Sequence, residues 1–219
     1  MPSVVPGSGR RTIAFVLAAV VLVIAAFVVG RVTAPTVTFP TDTSAEAGFA
    51  RDMQVHHAQA VQMSFIIRDE TTDPAVRLIA LDIATGQAQG AGQLYGYLDD
   101  WGLSQSSSEP AMTWMTLPPL SGAGGAHKHA ETLGKPLATM PGYATDAQIK
   151  ELESLKGVPA ERLYLKLMIA HHKGGIEMAQ FAIARSTYPQ LLQFARSVVS
   201  VQTAEIANMQ QLLAALPAT

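Results

Sequence analysis

The chain has 219 residues and a net charge of −2, and 48% of its residues are hydrophobic. This length and composition suffice for one domain with an apolar core and an additional segment. The near-neutral charge provides no basic surface for a polyanion, which excludes nucleic acid as an expected partner. Cysteine is absent, so disulfides, thiolate metal sites and cysteine nucleophiles are excluded, and any soft metal ligand must be methionine or histidine.

The first 31 residues predict a membrane anchor. Two arginines precede an uncharged apolar run from Ile13 to Gly30, and one arginine follows it. A run of about 18 residues is just long enough to span a bilayer, and the excess of arginine before it favours a cytoplasmic N terminus. Pro35 follows the small residue at which a signal peptidase would cut, and it disfavours cleavage there. We therefore expect an uncleaved, single-pass anchor in the cell membrane, with the bulk of the chain outside the cytoplasm; cleavage would instead give a secreted protein.

A spacer rich in threonine and proline, residues 32–44, separates the anchor from the first predicted helical hairpin. Helical periodicity begins near Ala45, and the polar residues at 42–44 are candidates for its N-cap. An Asp-Pro pair at 73–74 is typical of the start of a second helix. That helix is expected to run to about Asp100, where a glycine ends it.

A long crossover precedes the second hairpin. Serine, proline and glycine dominate residues 104–144, and this composition predicts a loop. A short helix is expected over residues 145–157, between a capping threonine and a terminal glycine. The next helix is expected from about Ala160 to Ser186, and a Tyr-Pro pair at 188–189 starts the last one. The predicted bundle therefore occupies residues 45–219.

Two of the predicted helices carry the same pattern. Met, two residues, His-His, five residues and Met begin at Met53 in "MQVHHAQAVQM" and again at Met168 in "MIAHHKGGIEM", 115 residues later. This spacing indicates a duplicated helical hairpin. The predicted fold is therefore all-α: a four-helix bundle built from two repeated hairpins with a long crossover, preceded by one N-terminal transmembrane helix.

The repeated pattern supplies the candidate metal ligands. Because side chains four and three apart share one helix face, His56 and His171 lie on the methionine stripes and are expected to point inward, with the next histidine of each pair to one side. The two stripes converge if the helices are neighbours. Thioether with imidazole suits Cu(I), whereas imidazole with carboxylate suits Zn(II) or Cu(II). The candidate ligands on these helices are Met53, His56, His57, Met63, Met168, His171, His172 and Met178.

Other candidates lie outside the repeated pattern. On the last helix, Glu205 is expected to orient a histidine of the preceding helix, with a surface carboxylate as the alternative. Met209 follows one turn later and adds a thioether. His127 and His129 lie in a glycine-rich stretch, where they either capture Cu(II) or Zn(II) loosely or remain solvated.

The stretches "MQVHHAQAVQM", "LMIAHHKGGIEMA" and "QTAEIANM" resemble the bacterial family called domain of unknown function 305. The resemblance covers roughly Ala45 to Leu216. It implies a ferritin-like helical fold, and copper binding outside the cytoplasm as found for some members. The family tends to have an acidic residue in both outer helices, whereas this chain has Glu205 in one and Gln89 at the position aligned with it. Tyr143 in "MPGY" replaces the second methionine of a familiar Met-Pro-Gly-Met pattern.

These observations favour an extracytoplasmic, membrane-anchored metal-binding protein that sequesters or hands over copper, most simply as Cu(I), with Zn(II) or Cu(II) also compatible. One alternative is a non-catalytic accessory domain whose histidines form a buried polar network. Another is a cuprous-ion oxidase. A di-iron oxidase is disfavoured because the chain has no Glu-x-x-His. An enzymatic role is therefore not the expected one, and the sequence indicates no particular protein partner.

Overall fold

The structure, a computed structural model, describes residues 8–34, 38–120 and 140–217. Within these ranges every element of regular secondary structure is helical, which confirms the all-α prediction. His127 and His129 lie outside the described residues. The helices are α1 (Ser8–Thr33), α2 (Ala45–Glu70), α3 (Pro74–Asp100), α4 (Asp146–Ser154), α5 (Val158–Ile183) and α6 (Pro189–Ala215), with a 3-10 turn at Thr113–Thr116.

Helix α1 belongs to a separate compact unit, Met1–Phe39, and the remaining helices belong to Pro40–Thr219. Its stretch Arg11–Thr33 has a mean hydropathy of 3.1 over its most apolar window, with no side chain of that window buried. Within the described part of the chain, α1 alone is long and apolar enough to cross a membrane. The predicted apolar helix is therefore present, and the spacer predicted over 32–44 spans the boundary between the two units.

Side-chain caps fix where the helices begin. Ser44 accepts a hydrogen bond from the backbone of Ala47 and caps α2, and Asp73 caps α3 just before a proline at the first helical position. Thr145 and Gln148 form a capping box at α4. These polar groups satisfy backbone N–H donors that lack a partner at a helix start, and for this reason the sequence located the starts to within two residues.

The helix ends were predicted less accurately. Helix α4 ends at Ser154, earlier than expected, because Gly157 adopts a positive φ of 58° and its backbone N–H donates to Glu70 at the end of α2. Helix α5 begins at Val158 and ends at Ile183, two or three residues before the expected bounds. Glycine accepts the left-handed conformation without a steric cost, so tertiary contact decides how it is used.

Four long helices pack as two hairpins, α2 with α3 and α5 with α6, joined by contact between α2 and α5. One apolar cluster contains the start of α2 and the end of α5, including Phe49 and Met178. The other contains the end of α2 and the start of α5, including Met63 and Tyr164. Helices α2 and α5 are therefore antiparallel, and the two halves of the repeat face each other across their contact.

The crossover is held against α2 by a buried carboxylate. Asp52 accepts hydrogen bonds from the Met112 backbone at 2.7 Å and from Nε1 of Trp114 at 2.9 Å. Met112 has a φ of 66°, a conformation that costs a non-glycine residue free energy. A Cβ on Gly48 would lie 2.5 Å from the Trp114 side chain, so glycine is needed for this close approach.

Candidate metal centre

A layer of polar side chains crosses the bundle between the two apolar clusters. Neither cluster includes the middle of the long helices. On α2 the omitted stretch is 54–59, and on α5 it is 170–177. Buried polar groups fill this gap, although burying them carries a free-energy cost unless they are paired. We call these groups, together with the partly buried Glu205, the polar layer; its buried members are His56, His57, Gln87, His171, His172 and Gln202.

The two inward-pointing histidines meet at the centre of the polar layer. The rings of His56 and His171 stack with centroids 3.7 Å apart and an interplanar angle of 31°. Nε2 of His56 bonds to the Pro141 carbonyl at 3.0 Å, and Nε2 of His171 to the His56 carbonyl at 2.9 Å. Because a carbonyl oxygen only accepts, both Nε2 atoms carry the proton, and each neutral ring keeps its lone pair on Nδ1.

The segment after residue 139 closes this side of the layer. Gln59 holds it by two hydrogen bonds to the backbone of Ala144, at 2.8 and 2.7 Å. The Pro141 carbonyl packs so tightly on Gly174 that a Cβ there would overlap it. The ring of Tyr143 lies 6.3 Å from that of His56. The inner histidines are therefore covered by backbone and by a tyrosine at the position where a methionine was expected from the family pattern.

The two outer histidines are also buried, but their partners differ. Nε2 of His172 lies 2.8 Å from Oε2 of Glu205, as the sequence predicted for a histidine of the preceding helix. His57 faces Gly90 instead, where a Cβ would come within 2.9 Å of the ring. Gly90 lies 115 residues before Glu205, the separation of the histidine repeat, so the geometry pairs Glu205 with Gly90 rather than with Gln89.

Two glutamines repeat with the same separation, and they were not predicted as a pair. Gln87 and Gln202 are both buried, and Oε1 of each has no hydrogen-bond partner among the described residues. Gln202 packs directly on Gly175 of α5, where a Cβ would lie 2.5 Å from its amide oxygen. The constant spacing in the sequence was the signal for this pair.

Burial keeps three histidines of the polar layer, His56, His57 and His171, neutral. Desolvation, with nearby histidines adding to it, lowers the pKa of His57 to about 3. Desolvation also lowers the pKa of His56 to about 4, against a small opposing effect of the Pro141 carbonyl, and holds the pKa of His171 well below its usual 6.5. The physical cause is that an apolar interior disfavours an imidazolium ion. Neutral imidazole is the form that binds metal ions.

The candidate methionines are all completely buried, but they divide between the two apolar clusters. Met53 and Met178 lie in one cluster together with Met112 and Met115. Met63, Met168 and Met209 lie in the other. The expected convergence of both stripes is therefore only partial: the histidines meet at the centre, and the thioethers flank them on either side.

The distances between the histidine rings limit how they can hold a metal ion. Two imidazoles that share one ion through bonds of about 2.0 Å have ring centres about 5–6 Å apart, so the stacked inner pair at 3.7 Å does not share an ion in this geometry. His171 and His172 have centroids 6.2 Å apart. No set of three His, Asp or Glu side chains within the described ranges is placed to hold an ion. The donor atoms nevertheless fit a soft metal. Thioethers flank the histidines, and Nδ1 of all four histidines is buried without a partner among the described residues.

A groove reaches the polar layer from the surface between α3 and α6. It has a volume of about 480 Å³, and most of its described lining comes from these two helices. His57 and Glu205 also line it, together with both buried glutamines. The groove therefore reaches His57 and Glu205 of the polar layer, while the inner pair is covered.

The sequence of the chain matches a known protein family. A sequence profile of the family described as "Domain of unknown function (DUF305)" matches residues 46–213. The chain belongs to the DUF305 family. The sequence has no significant match among curated proteins.

Solved structures of DUF305 proteins agree in fold. One from Streptomyces coelicolor is 45% identical, with a TM-score of 0.68, and the match covers 80% of this chain and 94% of that one. A DUF305 fragment from Deinococcus radiodurans is 29% identical, with a TM-score of 0.62 and coverage of 82% and 100%. CopM in its Cu(I)-bound form is 18% identical, with a TM-score of 0.54 and coverage of 79% and 95%. This last likeness shows a shared fold.

Proposed function

We propose that this DUF305 protein is an extracytoplasmic metal-binding protein, anchored by α1, that sequesters or hands over copper as its cargo. The observation that carries the proposal is the state of the four histidines. Nε2 is oriented by an acceptor in His56, His171 and His172, while Nδ1 is buried without a described partner in all four. An imidazole with one nitrogen held and the other free is the usual form of a metal ligand.

The flanking thioethers favour Cu(I) over harder ions. Methionine sulfur and imidazole nitrogen suit Cu(I), and a site with few carboxylates offers less to Zn(II). Thioethers do not titrate, and the lowered pKa of His56 and His57 keeps their rings neutral in mildly acidic surroundings, with one nitrogen of each ring free of a proton. CopM, which shares the fold, is known in Cu(I)-, Cu(II)- and Ag-bound forms, and this agrees with the proposed cargo.

Of the two pairs, the outer histidines are better placed to bind the ion. His172 has its orientation fixed by Glu205, and its Nδ1 faces the interior without a described partner. The inner histidines stack too closely to share an ion, so an ion held by both of them requires the ring of His171 to turn away from His56. Met168 and Met178, on either side of these histidines on α5, supply the nearest thioethers in the sequence.

Titration of Cu(I) into the full-length protein in nanodiscs, under reducing conditions and against a chromogenic chelator, tests the proposal. The comparison is a variant with all four helical histidines changed to glutamine, which keeps polar side chains in the layer. Tight uptake by the wild type that is lost in this variant supports copper binding. A folded wild type that leaves all Cu(I) with the chelator contradicts it.

The accessory-domain alternative has its own support, since Nε2 of each stacked inner histidine has a backbone carbonyl as acceptor. It predicts the same melting temperature with Cu(I), with Ag(I) and with a chelator. Copper binding predicts a rise that grows with ligand concentration. Retention of the protein in membranes after an alkaline carbonate wash tests the proposed anchor separately, because a cleaved segment would release the bundle.

A further inference from the structure

The two sides of the polar layer differ in how they are covered. On the α2 and α5 side, the Pro141 carbonyl accepts from His56 and packs on the backbone at Gly174. Gly142 has a φ of 69° and packs equally closely on the Ala170 carbonyl. Backbone contacts of this kind leave no space for an ion to pass, so this side is closed.

The α3 and α6 side is open. Gly86 has no neighbouring atom within 4 Å of a Cβ built on it, and it lines the groove one turn before Gly90. The absence of side chains at both positions leaves His57 at the base of the groove. Its pseudosymmetric counterpart His172 lies instead behind the Glu205 carboxylate, whose side chain is only 18% exposed.

Oxygen atoms that no described residue uses lie beneath the groove. Oε1 of Gln87 and of Gln202 is buried without a partner, and both residues line the groove with Glu205. A cation that entered here would meet the Glu205 carboxylate and the His57 imidazole, and then the buried amide oxygens. Such weak, successive ligands permit an ion to move on rather than remain.

From this geometry, and resting on the copper binding proposed above, we infer that the α3–α6 groove is the route by which a soft monovalent ion reaches and leaves the polar layer, with His57 as its first imidazole. The replacement of an acidic residue by Gly90 in the first repeat opens this route. The loss of symmetry between the repeats thus separates a histidine at the base of the groove from one held by a carboxylate.

Two matched pairs of tryptophan variants test the route. Gly86→Trp places a ring in the groove. Its control is Gly92→Trp on the same helix, which lies outside the groove lining; a Cβ has open space at both positions. On α6, Ser197→Trp lies in the groove and Ser200→Trp does not, and both serines are exposed. Each pair has nearly the same effect on helix propensity.

The measurement is the stopped-flow transfer of Cu(I) from a chromogenic chelator to the full-length protein, alongside equilibrium competition. We expect both groove variants to slow uptake and release about tenfold or more with equilibrium affinity nearly unchanged, since a barrier on the route alters both rates together. Wild-type rates in both groove variants, or equal slowing in the matched controls, would overturn the route while leaving copper binding intact. No uptake by the wild type would overturn the proposed function and the route together.

Discussion

Nε2 of His172 lies 2.8 Å from Oε2 of Glu205. The contact joins neighbouring helices of one hairpin, and the first repeat lacks it because glycine occupies the equivalent position. A carboxylate in this place fixes the orientation of the ring and makes the other nitrogen a better donor to a metal. The two halves of the duplicated bundle are therefore chemically unequal.

Replacement of the carboxylate tests this relationship. Glu205→Gln keeps an amide near His172 but removes the charge, and we expect Cu(I) affinity to fall about 10- to 100-fold, as is usual when the partner of a ligand histidine is lost. Competition with a chromogenic chelator measures the change. Glu151→Gln, on the exposed face of α4, is the control. Equal affinities for all three proteins would show that the pair is only structural.

The thioethers are expected to determine which metal is preferred. Replacing Met63 and Met168 by leucine, or Met53 and Met178 by leucine, conserves volume and should change the free energy of unfolding by less than about 1.5 kcal/mol per site. Because leucine cannot bind copper, Cu(I) affinity should fall by at least about tenfold, with Zn(II) affinity unaffected. Met115→Leu, also buried but outside the helical stripes, is the matched control.

The comparison of the two double variants locates the ion, since these methionine pairs lie in different apolar clusters. A loss confined to one pair places the ion on that side of the histidines. Unchanged Cu(I) affinity in both double variants would show that all four methionines are core residues and that imidazole alone holds the metal.

The metal-free protein should lose stability as the pH falls below 6.5. His56 and His57 have pKa values lowered to about 4 and about 3, so the folded state keeps them neutral while the unfolded chain takes up protons. Each such histidine removes about 1.4 kcal/mol of unfolding free energy per pH unit between 6.5 and its folded pKa. His171 acts in the same sense. Urea unfolding at several pH values, with a chelator present, measures the slope.

The control for this slope is His57→Gln. It should lower by one the number of protons taken up on unfolding, while stability still falls as the pH falls. Burial raises the pKa of Asp52 above 3.8, so this one carboxyl favours the folded state in acid. This effect of Asp52 opposes that of three histidines, so it cannot reverse the loss of stability in the first pH units below 6.5. Stability that stays constant between about pH 7 and pH 5 would mean that the histidines are protonated in the folded protein.

The backbone contact that closes the α2 and α5 side can be tested with one methyl group. Gly174→Ala directs a Cβ into the Pro141 carbonyl, and we expect a loss of about 1–3 kcal/mol in unfolding free energy, typical of overpacking. Gly92→Ala, in open space on α3, should instead stabilise by about 0.5–1 kcal/mol through helix propensity. Thermal and urea unfolding measure both. Stabilisation by Gly174→Ala, like that expected of Gly92→Ala, would exclude a tight contact at Gly174.

Local signals in the sequence were sufficient to predict the helices. The Ser44 and Asp73 caps and the proline at the start of α6 act within one turn of helix, so helix starts could be predicted without knowledge of the fold. Spacing along each helix likewise predicted that His56 and His171 point inward. Helix ends were less certain, because the glycine that follows α4 responds to a contact with Glu70 from a distant part of the chain.

By itself the sequence determined the helices, their duplication, the apolar N-terminal segment and the side chains available to a metal, because periodicity and composition are properties of short stretches of chain. Only the tertiary structure decided which of these side chains meet. The stacking of His56 on His171, the division of the methionines, and the pairing of Glu205 with the position of Gly90 depend on how two hairpins pack. Such packing is set by long-range contacts between residues more than a hundred positions apart, which no local pattern specifies.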